Sequence, residues 1–113
     1  MTKRKQKRKA HSGNKGKQAE REVRDLIRKH GFEARRGQQF SGGNGDPDVV
    51  HNMEGIHVEV KRREQLNLWE AMAQAKADAV RAMPTVWYRK NNKSWLVFLD
   101  ADDFMELMKE LHQ

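Results

Sequence analysis

The chain has no cysteine, which excludes disulfide bonds and thiolate metal sites. It also has no run that approaches the roughly 18 consecutive apolar residues of a membrane-spanning helix. Its N-terminus is basic but lacks the apolar stretch that secretory signals carry. These absences predict a protein of the cytoplasm with no membrane partner.

Apolar residues are scarce throughout the chain. Hydrophobic residues make up 36% of its 113 residues, and charged residues make up 35%. A chain of this length forms one domain with one core, and the composition predicts that this core is small.

Acidic residues are absent from the first 17 positions, which hold eight of the 23 Lys and Arg residues. The other 15 basic residues face 16 acidic ones, so the formal charge of +7 comes from this N-terminal segment. Few apolar residues and two glycines predict that residues 1–16 form a disordered tail and that residues 17–113 form a single domain. Such a tail commonly binds the phosphate backbone without sequence preference, although it can also serve solubility alone. The cations of the segment are Lys3, Arg4, Lys5, Lys7, Arg8, Lys9, Lys15 and Lys17.

Hydrophobic periodicity predicts an alternation of helices and strands. In the first helix, Ala19, Val23, Leu26 and Ile27 recur with helical spacing, and Gly31 follows where a C′ glycine belongs. The order α-β-β-β-α-β-β-α predicts an α/β fold with a mixed central sheet. The predicted elements are a helix at 17–30, strands at 32–36, 48–52 and 56–62, a helix at 66–82, strands at 85–89 and 94–99, and a final helix, with a glycine-rich loop at 38–46.

The carboxyl-terminal third carries further expectations. The second helix should end before Pro84. The last strand is continuously apolar, which is typical of a strand buried on both faces. Asp100 should cap the last helix. Trp69, Trp87 and Trp95 are expected in the core.

Acidic residues interrupt two predicted strands where burial would favour apolar ones. Asp48 stands at the start of the first, and Glu59 lies within the second, two residues before Lys61. Because residues i and i+2 of a strand point to the same face, His57, Glu59 and Lys61 share one face. His57 on its own is more typical of an ordinary strand residue than of a ligand. An acid beside a lysine, with an aspartate on the preceding strand, indicates a divalent-metal site next to a positioned cation.

Such a site suits the cleavage of a phosphodiester. The reaction needs charge neutralisation on the phosphate, an activated water and a stabilised leaving oxygen, and Mg²⁺ held by one or two carboxylates supplies all three. Asp48 and Glu59 are the predicted ligands, joined by the backbone carbonyl of Val60. Lys61 could orient or help to deprotonate the water, or stabilise the charged transition state.

Two residues on predicted helices complete the candidate site. Glu20 flanks the apolar stripe of the first helix and could point from its edge towards the metal. Gln74 lies among alanines and could position Lys61 or a phosphate. Taken singly, each candidate has another interpretation. Asp48 could be a turn residue, Glu59 and Lys61 could lie on a solvated strand face, and both helix residues could belong to the surface.

Several motifs together resemble the PD-(D/E)XK nuclease signature. Pro47-Asp48 is followed by Glu59-Val60-Lys61, with a glutamate on an upstream helix. Within this superfamily the chain is similar to the archaeal-type Holliday junction resolvases and their small phage-encoded relatives. The similarity runs from about residue 16 to residue 74 and includes GKQAER at 16–21, GFEARR at 31–36, SGG at 41–43 and PDVV at 47–50.

The resemblance implies a restriction-endonuclease-like αβββαβ core with a mixed central sheet, extended by a C-terminal strand and helix. It implies that Asp48 and Glu59 hold Mg²⁺, for which Mn²⁺ substitutes. It also implies that Glu20 is a further acidic site residue and that Lys61 is the catalytic lysine. The resemblance further implies that Ser41 belongs to a mobile loop and contributes to cleavage. It also implies that two basic residues, Arg35 and Arg36, lie near the DNA.

The expected function is a Mg²⁺-dependent DNA endonuclease in a bacterial, archaeal or phage-infected cell, without a nucleotide cofactor. Junction resolution by a homodimer is the leading form, because a two-fold axis places two identical sites on opposing strands of a four-way junction. The apolar last helix or strand could supply the interface. Two alternatives stay open. One is a less structure-selective nicking or flap nuclease, and the other is a non-catalytic nucleic-acid-binding protein that uses the tail with Lys61, Arg62 and Arg63.

Overall fold

The computed structural model describes the backbone of residues 2–38 and 47–113 and the side chains of residues 15–38 and 47–113. The order of its helices and strands is the predicted one, which confirms the α/β class. The elements are α1 (Thr2–Lys29), β1 (Ala34–Arg36), β2 (Val49–His51), β3 (Ile56–Arg62), α2 (Leu68–Asp78), β4 (Met83–Arg89), β5 (Leu96–Phe98) and α3 (Ala101–Leu111).

The strands of the described residues form two sheets, one of two strands and one of three. β1 and β2 pair antiparallel. β3 runs parallel to β4 along its whole length, with Glu59 beside Val86, and β4 pairs antiparallel with β5. α2 connects the two parallel strands, since such strands need a crossover. The prediction of a mixed sheet is therefore confirmed.

Two core clusters lie on opposite faces of the three-stranded sheet. On one face, Ala19, Val23 and Ile27 of the predicted α1 stripe pack with Val49, Val58 and Val60, whereas Leu26 lies outside this cluster. On the other face, Met72 and the alanines of α2 pack against Val86. β3 alternates between the two, so its valines face α1 and its polar residues lie on the face that α2 covers.

α1 begins at Thr2, within the segment for which the sequence predicts disorder. Lys, Arg and Gln fill much of that segment, and these strong helix formers allow a helix to continue without apolar contacts. The division of the chain into a basic tail and a nuclease domain stays a prediction. Although α1 is long, neither it nor any other helix of the described residues is apolar enough to cross a membrane.

α2 ends before the predicted boundary, and Pro84 does not end it. The helix stops at Asp78, Ala79 is extended (φ −77°, ψ 116°), and Arg81 has a left-handed φ of 56°. Pro84 is instead the second residue of β4. Proline is tolerated there because β5 pairs only with residues 86–88, which leaves the start of β4 open on one side.

The carboxyl-terminal strand and helix are more exposed than predicted. β5 is a three-residue edge strand whose Leu96 and Val97 are both exposed, so the prediction of a strand buried on both faces is wrong. α3 contains no buried residue. Trp69 is 82% exposed, against the prediction that it lies in the core, whereas Trp87 and Trp95 pack against the α1 cluster.

The helix ends follow the sequence in part. Gly31 follows α1 with a φ of 93°, in the left-handed region that the predicted C′ glycine requires. Asp100 is the N-cap residue of α3 but makes no capping hydrogen bond. Its carboxylate lies 2.8 Å from the Lys76 ammonium instead, which links α3 to α2.

Candidate active site

Asp48 immediately precedes β2 and is joined to β3 by its side chain. Its Oδ2 accepts a hydrogen bond of 2.9 Å from the backbone N–H of Val60. Burial raises the pKa of Asp48 to about 6 although this hydrogen bond opposes the rise, and the negative charges of Glu59 and Glu20 add to it. A carboxylate crowded by other acids in this way is stabilised by a bound cation.

Glu59 is buried at 5% exposure on the α2 side of β3. Its Oε1 lies 3.3 Å from His57 Nε2, and its Oε2 lies 3.7 Å from the Lys61 Nζ. The three side chains thus share the face that strand alternation assigns to them. A buried carboxylate is costly unless positive charge compensates it, and the lysine supplies part of that charge.

Lys61 is held from α2 as well as from β3. Its Nζ donates a hydrogen bond of 3.0 Å to Gln74 Oε1. The start of α2 is fixed by Asn67, whose side chain accepts a hydrogen bond from the Glu70 N–H. The ammonium group therefore lies between an amide oxygen and the carboxylate of Glu59.

Glu20 approaches the acidic site from α1, where it follows the buried Ala19. Its charge contributes to the raised pKa of Asp48. Its Oε1 accepts a hydrogen bond of 3.1 Å from Arg36 Nε of β1. Arg36, which is predicted to lie near the DNA, is therefore hydrogen-bonded to Glu20, which is predicted for the metal site.

The donor set around Asp48 suits a hard dication. Asp48 and Glu59 offer carboxylate oxygens, and Val60, which anchors Asp48, offers a carbonyl oxygen on the same strand. Mg²⁺ prefers oxygen ligands of this kind. Asp48 is partly buried, is fixed by the Val60 N–H and lies near the charges of Glu59 and Glu20, and these features fit a metal here.

Part of the predicted site falls outside the described residues. Ser41 and most of the glycine-rich loop lie there. The same holds for the side chains of six N-terminal cations, Lys3, Arg4, Lys5, Lys7, Arg8 and Lys9. Their roles in cleavage and DNA binding stay predictions.

Some of the other predicted DNA contacts lie next to Val60, whose N–H binds Asp48. Next to Val60, a cleft of about 530 Å³ is lined by four cations, Lys15, Lys61, Arg62 and Arg63. Lys17 is exposed on α1, two residues after Lys15. Arg35 is exposed on β1, where its NH1 donates a hydrogen bond of 3.3 Å to the Arg36 carbonyl. Positive charge thus borders the site that carries the acids.

An ion cluster that the sequence did not reveal joins α1 to the sheet. Glu22 Oε1 accepts hydrogen bonds from Arg89 Nε at 2.9 Å and Trp95 Nε1 at 3.1 Å, and Oε2 accepts one from Arg62 NH1 at 3.2 Å. Burial opposes ionisation of Glu22, but the hydrogen bonds and charges of these partners outweigh it and lower its pKa. We call these four residues the Glu22 cluster.

The guanidinium group of Arg62 therefore forms its hydrogen bonds within the protein. Its NH2 donates a further hydrogen bond of 3.3 Å to Asn91 Oδ1, and its Nε is buried without a partner among the described residues. Arg63, the neighbouring cation, is exposed. A DNA contact by Arg62 stays a prediction, and the geometry favours Arg63 of the two.

Comparison with known proteins covers most of the chain. A family model described as archaeal Holliday junction resolvase (Hjc) matches residues 11–109, a span that contains Glu20, Asp48, Glu59 and Lys61. The chain is also similar to a solved structure of Hjc from Archaeoglobus fulgidus, described as a Holliday junction resolvase from an archaeal hyperthermophile. The two are 26% identical, with a TM-score of 0.51, and the match covers 75% of this chain and 72% of that one. No curated protein matches.

Proposed function

Because the chain belongs to the archaeal Holliday junction resolvase family, we propose that it cuts four-way DNA junctions as a homodimer with Mg²⁺. Members of the family are metal-dependent nucleases, so the chain is an endonuclease that hydrolyses phosphodiester bonds. The observation that carries the proposal is the placement of two acids and a lysine around one strand. Asp48 is anchored at 2.9 Å to Val60, and Glu59 lies 3.7 Å from Lys61.

Asp48, Glu59 and the Val60 carbonyl would hold the metal, and Mn²⁺ would substitute for Mg²⁺. A bound dication neutralises phosphate charge and lowers the pKa of a water ligand. Burial and the nearby acids disfavour ionised Asp48, and a dication relieves both effects. Glu20 adds negative charge from α1 at the edge of this set.

Lys61 would orient the attacking water or stabilise negative charge on the phosphate. Gln74 supports this role because its Oε1 holds the ammonium from the α2 side at 3.0 Å. A lysine restrained by two partners loses less side-chain freedom when the substrate arrives. Ser41 would act on the same phosphate from the loop that precedes Asp48.

Basic residues would bind the DNA backbone next to Asp48 and Glu59. The cations of the cleft border Val60 and Lys61, so a phosphate bound there lies next to the proposed metal ligands. Arg35, Arg36 and the N-terminal cations of α1 would extend this contact along the duplex arms. Such contacts add affinity without reading sequence.

Removing positive charge from residues 1–14 is expected to weaken DNA binding more than it slows saturated cleavage. Six Lys and Arg side chains lie there, and each phosphate contact adds about 0.9 to the slope of log K against log salt. Replacing all six by Gln, which keeps helix propensity, should flatten the slope by up to about five. The measurement is anisotropy with labelled junction DNA at several salt concentrations. An unchanged slope would show that the segment does not contact DNA.

The homodimer is proposed to form through the exposed apolar surface of β5 and α3. Leu96 and Val97 of β5 and Phe104 and Leu111 of α3 are all exposed. α3 has no buried residue, although its spacing of apolar residues is amphipathic. Burial against a second copy would remove this surface from water, and a two-fold axis would present two sites to the junction.

Phe104→Asp is expected to convert the dimer to a monomer. A charge at the centre of an apolar interface remains unpaired, whereas an acid in the first turn does not disfavour the helix itself. Trp69→Asp is the matched control, because it places the same charge in the first turn of α2 at another exposed aromatic residue. Sedimentation equilibrium measures the mass. A dimer that survives Phe104→Asp would place the interface elsewhere.

The proposed function is tested by cleavage of labelled four-way junction, flap and linear duplex DNA with Mg²⁺ or EDTA. We expect paired nicks in the junction with Mg²⁺, no cleavage in EDTA and slower cleavage of the duplex. Cleavage of flaps or duplex at the rate of junctions would favour the less selective nuclease. Junction binding without cleavage of any substrate would favour a non-catalytic binding protein.

A further inference from the structure

A second cluster of metal-ligand side chains adjoins Glu59. Among the described residues, His57, Glu59 and Asp78 offer one ligand atom each, and these atoms all lie within 4.8 Å of one another. His57 and Glu59 are buried, at 7% and 5% exposure, on the α2 side of β3. Asp78 is the exposed last residue of α2. Neither His57 nor Asp78 belongs to the oxygen set around Asp48.

The buried pair already has the spacing that a tetrahedral metal needs. Zn²⁺ binds imidazole nitrogen and carboxylate oxygen at about 2.0–2.1 Å, which places neighbouring ligand atoms of a tetrahedron roughly 3.3–3.4 Å apart. His57 Nε2 and Glu59 Oε1 are 3.3 Å apart. Glu59 is the one side chain of the described residues that hydrogen-bonds the His57 ring. Asp78, at the exposed end of a helix, can approach by a small side-chain movement.

A route leads from solvent to this cluster. His57 and Asp78 line a cleft of about 450 Å³ together with Val80 and Ala82. The cleft lies at the start of β3, at residues 56–58, whereas the basic cleft lies at its end, at residues 60–63. A metal ion could therefore enter without passing the basic cleft, and a water from the cleft could fill its fourth position.

We propose that His57, Glu59 and Asp78 form a second cation site, selective for a first-row transition ion such as Zn²⁺. One imidazole with two carboxylates favours Zn²⁺ or Co²⁺ over Mg²⁺, which prefers oxygen ligands alone. The site shares Glu59 with the proposed catalytic metal. A Zn²⁺ ion on Glu59 would withdraw negative charge from Mg²⁺ and Lys61, so Zn²⁺ inhibits cleavage. This inhibitory effect rests on the proposed function, whereas the binding of Zn²⁺ does not.

Binding is tested on the full chain, freed of metal, by titration with Zn²⁺ in a calorimeter. The visible spectrum of bound Co²⁺ reports tetrahedral coordination and its loss when Zn²⁺ displaces it. Asp78→Asn and His57→Gln should each weaken Zn²⁺ binding by at least about 10–100-fold, since even supporting residues have effects of that size. Glu70→Gln, an exposed acid on the same helix, is the matched control and should bind as the wild type does.

Asp78→Asn is the decisive variant because Asp78 is exposed and its replacement leaves the core intact. With excess Mg²⁺, this variant should cut junction DNA at the wild-type rate and need at least about tenfold more Zn²⁺ for the same inhibition. Zn²⁺ affinity unchanged by both Asp78→Asn and His57→Gln would overturn the site. Zn²⁺ bound there without an effect on cleavage would overturn the inhibition. Tetrahedral binding in a protein that cuts nothing with Mg²⁺ would support the site and reject the proposed function.

Discussion

Asp48→Asn is expected to reduce Mg²⁺-dependent junction cleavage by about a thousandfold or more. The loss follows from the proposed metal set, because a bound dication contributes several kcal/mol of transition-state stabilisation and each 1.4 kcal/mol is about tenfold in rate. The replacement keeps the shape of the side chain, and its amide oxygen can still accept the hydrogen bond from the Val60 N–H. Single-turnover cleavage at saturating protein separates this effect from DNA binding.

DNA binding by Asp48→Asn should remain or strengthen, since the variant removes a negative charge near the phosphates. Asp102→Asn, on α3 away from the site, is the matched control and should cut as the wild type does. A rate within tenfold of the wild type for Asp48→Asn would remove Asp48 from the metal set. Cleavage by the wild type in EDTA would remove the metal requirement itself.

Asp48→Asn is also expected to change the stability of the fold in a definite direction. Because the pKa of Asp48 is raised from 3.8 to about 6 in the folded chain, the native state binds the proton more tightly than the unfolded state. The contribution of protonated Asp48 to the free energy of unfolding is therefore lost as the pH rises from about 4 through about 6. Above that range the ionised carboxylate destabilises the fold. Asn lacks this charge, so metal-free Asp48→Asn should melt at or above the wild-type temperature at pH 8. Added Mg²⁺ should raise the melting temperature of the wild type only.

The acidic site could be predicted because its geometry is local. Strand alternation alone places Glu59 and Lys61 on one face, and Asp48 precedes the strand before it, only 12 residues from Val60. The order of elements follows from short-range periodicity for the same reason. The face of α2 that packs on the sheet could also be predicted, because a helix rich in alanine packs closely on a sheet. Gln74 extends from this helix to Lys61.

Features that depend on distant residues could not be predicted. Glu22 resembles any charged residue beside an apolar stripe until the fold brings Arg62, Arg89 and Trp95 to it from 40 to 73 positions away. The pairing of His57 with Asp78 likewise depends on where α2 ends. The exposure of α3 could not be predicted for another reason. The sequence of an amphipathic helix is the same whether its apolar stripe packs within the chain or against a second copy.

Glu22→Ala is expected to lower the free energy of unfolding by about 3 kcal/mol, the largest effect on stability of any single polar replacement proposed for this chain. The variant leaves two mostly buried guanidinium groups without their shared carboxylate, and Arg62 Nε already lacks a partner among the described residues. Arg89 also lies 5.6 Å from the Trp95 ring, whose N–H loses its acceptor as well. Removing one partner from a buried charge cluster costs more than the cluster itself contributes, because the remaining charges stay desolvated.

Urea unfolding at a fixed protein concentration measures this loss, since a dimer's stability depends on concentration. Asp25→Ala is the matched control. It removes an acid from the same helix, but Asp25 is exposed and forms its ion pair with the neighbouring Arg24, so its effect should stay within about 0.5 kcal/mol. Glu22→Gln should lie between the two, because its amide oxygen can accept one hydrogen bond from Arg89 but offers no charge. Equal effects of Glu22→Ala and Asp25→Ala would mean that the cluster does not hold α1 against the sheet, and α1 would then be anchored by its apolar stripe alone.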